Sequence, residues 1–282
     1  MKNISTYTLA NGIEIPSIGF GTWQTPDGDV AYQAVLDAIE AGYRHIDTAA
    51  VYGNEESVGR AIADSGVPRK DIFLTSKLWN TVHTYEGAKA AIAESLKKLG
   101  TDYMDLYLIH WPSPVAAREN WQKRNQDVWR AIEEAYEAGT LKAIGISNFR
   151  PHHIDSLLET AKIKPQVNQI YLSPSDQQEE IVAYNKKHGI VTEAYSPLGT
   201  GTLLEVQEVN DLAAKYNKTA AQIALRWSLQ KGFLPLPKSV TTKRIIDNLQ
   251  VFDFELSDED MTILDQLRGT AKTATNPDET QF

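Results

Sequence analysis

Eight times along this chain, a short apolar run rich in β-branched and aromatic residues is followed by a longer stretch of helical periodicity. That alternation leaves few folds open, because each strand must reach a parallel neighbour through a helical crossover. The strand-like runs are SIGFGTW (17–23), RHIDTA (44–49), IFLTSKLW (72–79), YMDLYLIHWP (103–112), AIGISNF (143–149), QVNQIYL (166–172), IVTEAYSPL (190–198) and FLPLPKSV (233–240). The helical stretches between them include VAYQAVLDAIEAG, YEGAKAAIAESLKKLG and DVWRAIEEAYEAG. Gly42, Gly100, Gly139 and Gly189 stand where helix C-terminal caps belong. Ser257, with Asp260 three residues on, opens a last helix in ELSDEDMTILDQL. Ahead of the first unit, Asn11-Gly12 sits between two alternating runs and predicts a type I′ hairpin.

Eight strand–helix units in 282 residues is the arithmetic of a closed (β/α)8 TIM barrel. The predicted fold is therefore α/β: residues 1–282 as one barrel domain, with the hairpin capping the barrel bottom and an extra C-terminal helix. No linker or repeat interrupts the pattern. The rival, a doubly wound open sheet, carries a three-glycine dinucleotide fingerprint after its first strand. Here GFGTWQ supplies only Gly19 and Gly21, which reads as a close-packed strand end.

Composition removes several functions. The chain has no cysteine, so disulfides, thiolate metal sites and thiol nucleophiles are excluded. A formal charge of −9 argues against non-specific nucleic-acid binding. The N-terminal MKNISTYTLANG lacks the apolar core of a secretory leader, and no run is long enough to span a membrane. The expected location is the cytoplasm.

The chemistry of such a barrel lies at the C-terminal ends of its strands. The polar residues of the strand-like runs concentrate there: Asp47, Lys77, His110, Ser147 and Asn148, Gln169, Tyr195 and Ser196, Lys238 and Ser239. Lys77 stands in an apolar run where a lysine is costly unless paired, and Asp47, one strand away, is the candidate partner. Tyr52 follows Asp47 by five residues and falls over the same mouth. A neighbouring Lys⁺ is expected to lower the Tyr52 pKa, Asp47 to fix the lysine, and His110 to aim a ring N–H at a substrate oxygen. Together they form a proton donor beside an oxyanion site, which is what carbonyl reduction by hydride requires.

The hydride source is suggested by LPLPKSVTTKRIIDNL (234–249), where Lys238, Lys243 and Arg244 interrupt an acidic protein. Ser239, Thr241 and the helix-start N–H groups add donors for phosphate oxygens. Lys238 and Arg244 suit a 2′-phosphate, hence NADPH.

The motifs GFGTW (19–23), GYRHIDTAAVYGNE (42–55), LTSKLW (74–79), LYLIHWP (106–112), IGISNF (144–149), QVNQIYLSP (166–174), AYSPLG (194–199) and PLPKSVTTKRIIDN (235–248) closely resemble those of the aldo-keto reductases, in order and over nearly the whole chain. Length and loop style look most like the compact bacterial members that reduce diketo-gluconates and methylglyoxal-type carbonyls. The resemblance implies an NADPH-dependent monomer that reduces small aldehydes, ketones or dicarbonyls. It makes Tyr52 the general acid, tuned by Lys77 and Asp47, with His110 orienting the carbonyl. It assigns Ser147, Asn148 and Gln169 to the nicotinamide carboxamide and Tyr195 to stacking on the ring. Gly21, Thr22, Trp23, Asp47, Ser196, Leu198 and Gly199 belong to the same implied cofactor site. Lys238, Ser239, Val240, Thr241 and Arg244 would hold the 2′-phosphate side, with Asn248 near the adenine. Trp23, Trp79 and Trp111, with Tyr52 and His110, would wall the substrate pocket. Two departures stand out: Asp247 occupies the position of a frequent Glu near the adenine, and the loop SPLGTGTLLEVQEV is short, which suggests a loosely clasped cofactor with fast exchange.

Two look-alikes are set aside. Tyr85 and Lys89 match a Tyr-x-x-x-Lys spacing, but at a helix start with no Gly-rich loop, and read as an i, i+4 pair. His152-His153 follows Pro151 with no second ligand spacing, so no metal is expected. A non-catalytic NADPH-sensing protein on the same fold is the competing reading. A Schiff-base isomerase or aldolase is the third, disfavoured because Asp47 would keep Lys77 charged.

Overall fold

The computed structural model describes residues 4–282. Residues 1–3, the start of the expected domain and of the stretch read for a leader, lie outside them. A two-stranded hairpin, β1 (Thr6–Thr8) and β2 (Glu14–Pro16), precedes eight parallel strands: β3 (Phe20–Gly21), β4 (His45–Asp47), β5 (Phe73–Leu78), β6 (Met104–Ile109), β7 (Leu141–Ser147), β8 (Val167–Tyr171), β9 (Val191–Tyr195) and β10 (Leu234–Leu236). Each falls within a run expected from sequence or, for β7, starts two residues before it. The strands pair in sequence order from β3 to β10. The ring is joined by Gly19 N donating to Pro235 O at 3.1 Å and Gly21 N donating to Pro237 O at 3.0 Å.

The two glycines explain that seam. A Cβ on Gly19 would lie 2.6 Å from Leu236 Cδ2, and one on Gly21 would lie 3.2 Å from Leu236 O. Only glycine lets the first barrel strand approach the last this closely. GFG is thus a packing motif, as expected.

Strand periodicity separates the two cores. Leu106 and Leu108 of β6 face inward, with Ala143, Val167, Leu234 and Leu236, while Tyr107 and Ile109 face the surrounding helices. Leu9 and Ile15 of the hairpin join the inward cluster, so the hairpin closes the barrel bottom. Its turn departs from expectation. Gly12 has φ 85°, Asn11 is not in the left-handed region, and Gly12 N donates to Leu9 O. A type I′ turn needs positive φ at both central residues. Here a three-residue loop places only Gly12 there, because glycine adopts it without a Cβ penalty.

The helices are α1 (Asp29–Ala41), α2 (Glu55–Asp64), α3 (Tyr85–Leu99), α4 (Trp121–Glu137), α5 (Pro151–Leu158), α6 (Glu179–Lys187), α7 (Gln207–Tyr216), α8 (Ala220–Gln230), α9 (Thr242–Leu249) and α10 (Asp258–Asp265). Gly42 and Gly100 are left-handed C-caps of α1 and α3, and Ser257 Oγ caps α10 by accepting from Asp260 N. None of the described helices is long and apolar enough to cross a membrane.

Candidate active site

The barrel's C-terminal mouth opens into a cavity of about 1120 Å³. Three residues that leave the barrel strands at this rim have left-handed backbone without being glycine: Gln24 (φ 57°), Asn148 (φ 62°) and Ser196 (φ 49°). All three line the cavity. Such conformations cost free energy and persist only where the surroundings enforce them, which is common at functional sites.

Lys77, fully buried on β5, is the centre of the polar constellation. Its Nζ donates to Asp47 Oδ1 at 2.6 Å and to Thr48 O at 2.9 Å, and lies 3.5 Å from Tyr52 OH. Burial alone would push the lysine pKa down. Asp47, Tyr52 and Glu193 more than offset this, so it is raised and the ammonium stays charged. The partner expected from sequence is therefore the partner found.

Tyr52 differs from expectation. Burial raises its pKa and the Asp47 charge adds to that. Lys77 acts in the lowering direction but does not prevail. The net shift is upward, because desolvation of a phenolate outweighs one nearby ammonium that is already paired with a carboxylate. His110 is held well below the ordinary histidine range, first by burial and then by Lys77, so its imidazole is neutral. Its ring lies edge-on to Tyr52, with centroids 5.8 Å apart, and to Trp79, at 5.2 Å.

Around these four groups the structure collects most of the other expected positions. Ser147, Asn148, Gln169 and Tyr195 line the cavity and are bonded to one another's strands. Ser147 Oγ donates to Gln169 O at 2.7 Å, Asn148 Nδ2 to His110 O at 3.0 Å, and Tyr195 OH to Asn148 Oδ1 at 2.8 Å. Gly21, Trp23, Ser196 and Leu198 also line the cavity. Thr22 and Gly199 do not. Thr22 is buried with its hydroxyl donating to Asp47 O at 2.9 Å, and Gly199 is buried under Thr202 and Leu203. Both support the wall and are not part of its surface.

At the far end of the cavity lie Lys238, Ser239, Val240, Thr241, Arg244 and Asn248. Among the described residues, neither Lys238 nor Arg244 makes an ion pair, whereas Lys243 is paired with Asp247 at 2.6 Å and points to solvent. The basic cluster read from sequence thus delivers two of its three cations. Ser239 Oγ accepts from Thr241 N at 3.0 Å, which orders the turn into α9.

Trp23, Trp79 and Trp111 line the cavity, and so does Phe282, from the C-terminal tail whose position the sequence left open. Phe282 stacks on Trp79 and meets Trp111 edge-on, with centroids 5.1 Å apart. The segment that carries it is fastened at Thr280 and Asp278, and Val115 N donates to Phe282 O at 3.2 Å. Arg118 donates to Thr280 O and Oγ1, and His153 Nε2 bonds Asp278 Oδ1 at 2.8 Å. The His152-His153 pair therefore does meet a carboxylate, contrary to expectation. In this geometry His153 Nδ1 accepts from Arg150 N at 3.1 Å, which puts the proton on Nε2, where it is donated to Asp278. Tyr85 and Lys89 form the expected i, i+4 pair at 3.3 Å on exposed α3.

Sequence reasoning also missed Tyr171, Lys272 and Thr273 in the lining, and Glu193 and His45 beneath it. The last two carried a signal: a carboxylate and an imidazole inside otherwise apolar strands.

The "Aldo/keto reductase family" model matches residues 17–268. The chain is 47% identical over 277 residues to glyoxal reductase of Bacillus subtilis, with 98% of each chain covered. Its structure resembles the crystal structure of MGS-M4, an aldo-keto reductase from a Medee basin deep-sea metagenome library. The TM-score is 0.92 at 44% identity, covering 98% of this chain and 100% of that one. It also resembles a Bombyx mori aldo-keto reductase in complex with NADP, with a TM-score of 0.86 at 37% identity and 95% and 94% coverage.

Proposed function

From the premise that this chain belongs to the aldo/keto reductase family and is an NADP-dependent oxidoreductase, we propose that it reduces small aldehydes, ketones or dicarbonyls to alcohols with NADPH. The observation that carries the reading is the chain Asp47–Lys77–Tyr52 at the cavity mouth, with contacts of 2.6 and 3.5 Å, beside a neutral His110. Glyoxal reductase among the relatives supports a dicarbonyl as first substrate to try.

The lining fits the cofactor. Lys238 and Arg244, two unpaired cations at one end, offer charge-assisted bonds to a 2′-phosphate. Asn148 and Ser147 offer amide and hydroxyl groups at the other, and Tyr195 a flat ring. When bound, the nicotinamide supplies the hydride. Tyr52 gives its proton to the carbonyl oxygen, and Lys77, kept charged by Asp47, stabilises the phenolate left behind. A neutral His110 can donate one ring N–H to the same oxygen without competing for the proton. The raised Tyr52 pKa keeps the hydroxyl protonated at neutral pH, the state that reduction needs.

We further read residues 1–282 as one barrel unit acting as a monomer in the cytoplasm, and the short loop after β9 as a loose clasp. The test follows NADPH absorbance with α-dicarbonyls, small aldehydes and keto-sugars for wild type and Tyr52→Phe. Turnover that is lost in the variant supports the reading. NADPH binding with no turnover on any carbonyl replaces it with a sensing role.

A further inference from the structure

At the cavity floor, one amide joins two buried carboxyl groups. Gln169 Nε2, on β8, lies 2.8 Å from Asp47 Oδ2 on β4 and 2.8 Å from Glu193 Oε2 on β9. An amide nitrogen has two hydrogens, and this geometry assigns one to each oxygen. Asp47 keeps its other oxygen for Lys77 at 2.6 Å. A continuous path therefore runs from Glu193 through Gln169 and Asp47 to Lys77 and Tyr52. Glu193, Gln169 and Lys77 are all nearly inaccessible to water.

The charges on this path do not balance if both acids ionise. The groups facing Glu193 are Asp47 and His45 from β4, Lys77 from β5, and the non-titrating Gln169 from β8. His45 Nε2 is 3.8 Å from Glu193 Oε1 and 3.0 Å from Thr75 Oγ1, while Glu193 Oε1 has no hydrogen-bond partner among the described residues. Burial, then Lys77, pushes the His45 pKa down to about 3, so it brings no charge at neutral pH. One ammonium thus faces two carboxyl groups, and a second bare carboxylate here would be costly. Burial and the Asp47 charge push the Glu193 pKa up to about 8.

We infer that Glu193, acting through Gln169, is a positioning residue for the Asp47–Lys77–Tyr52 chain, and that its protonation sets the charge this chain presents to the Tyr52 proton. As a neutral acid it holds the Gln169 amide, which holds Asp47 in the orientation that serves Lys77. When it ionises in mild alkali, the added negative charge makes Tyr52 retain its proton to higher pH. The inference rests on the proposed reductase function.

The experiment compares wild type, Glu193→Gln and Glu193→Asp in the pH profile of kcat/KM for carbonyl reduction. It adds infrared spectra of the carboxylic-acid C=O stretch. At neutral pH the wild type shows an acid band that bleaches with alkali and is missing from Glu193→Gln. The alkaline limb of Glu193→Gln lies at lower pH than that of wild type, because no charge appears there to hold the Tyr52 proton. Glu193→Asp, too short to reach Gln169, loses about tenfold in kcat with little change in NADPH binding. A wild type that reduces carbonyls while Glu193→Gln keeps its alkaline limb overturns the inference alone. So does a wild type with no acid band at neutral pH. A wild type that reduces no carbonyl overturns the proposed function, and this inference with it.

Discussion

Phe282 lies against Trp79 with ring centroids 6.1 Å apart and planes 18° from parallel. The contact places an aromatic ring from the C-terminal segment over the pocket wall formed by β5 and β6. Aromatic pairs of this kind contribute roughly 0.5–1.5 kcal/mol beyond the area they bury. Phe282→Ala is therefore expected to raise KM for aryl aldehydes by about tenfold, at most a few-fold for a small dicarbonyl, while NADPH binding stays unchanged. Steady-state kinetics with both substrates read the difference. An equal rise for both would mean that Phe282 makes no specific contact with the aryl group.

Tyr52→Phe keeps the ring that packs on His110 and removes the hydroxyl, and with it the proton and the contact to Lys77. It should bind NADPH as wild type does and lose turnover by about 10²-fold or more. Cofactor fluorescence titration and initial rates separate the two quantities.

The buried pair makes Asp47→Asn a different kind of variant. It leaves the Lys77 ammonium without its carboxylate in a site closed to water. Breaking a buried pair on one side costs roughly 3–5 kcal/mol, so stability as well as activity should fall. Urea unfolding measures it. A variant as stable as wild type would mean that Lys77 had found another anion or lost its charge.

Lys238 and Arg244 line the cavity and make no ion pair among the described residues, and the proposed function gives them the cofactor's 2′-phosphate. Arg244→Ala should weaken NADPH more than NADH, by roughly 1.5–3 kcal/mol for one charge-assisted bond. Equal losses for the two cofactors would contradict the 2′-phosphate assignment.

Stability should pass through a maximum near neutral pH. His45, His110 and His153 are all depressed by burial, to about 3 for His45 and about 4 for His153. The unfolded chain binds protons on these groups first, so stability falls as pH drops below about 6.5. Glu193 works with the opposite sign. Its folded value of about 8 lies above the unfolded 4.5, so its contribution is full in acid and is lost as pH rises through that window. Melting temperature against pH should therefore decline on both sides. In Glu193→Gln the decline on the alkaline side should lessen.

The barrel was legible in the chain because strand and helix periods are local, and eight alternations of them admit few closures. So was the Asp47–Lys77 pair, since a lysine in LTSKLW demands an anion and the neighbouring strand offers one at its end. The hairpin turn was misread because Asn-Gly fits both a two-residue and a three-residue loop, and only the register Tyr7–Ile15 distinguishes them. Three further features were decided by tertiary structure alone. Glu193 meets Asp47 through Gln169, 122 residues from Asp47 in sequence. Phe282 meets Trp79 because Arg118 and His153 fasten the segment before it and Val115 N donates to Phe282 O at 3.2 Å. The direction of the Tyr52 shift depends on how completely the ring is desolvated. Side-chain type and spacing fix which groups can interact, but proton affinity is set by the water and charge that the closed barrel leaves around each group.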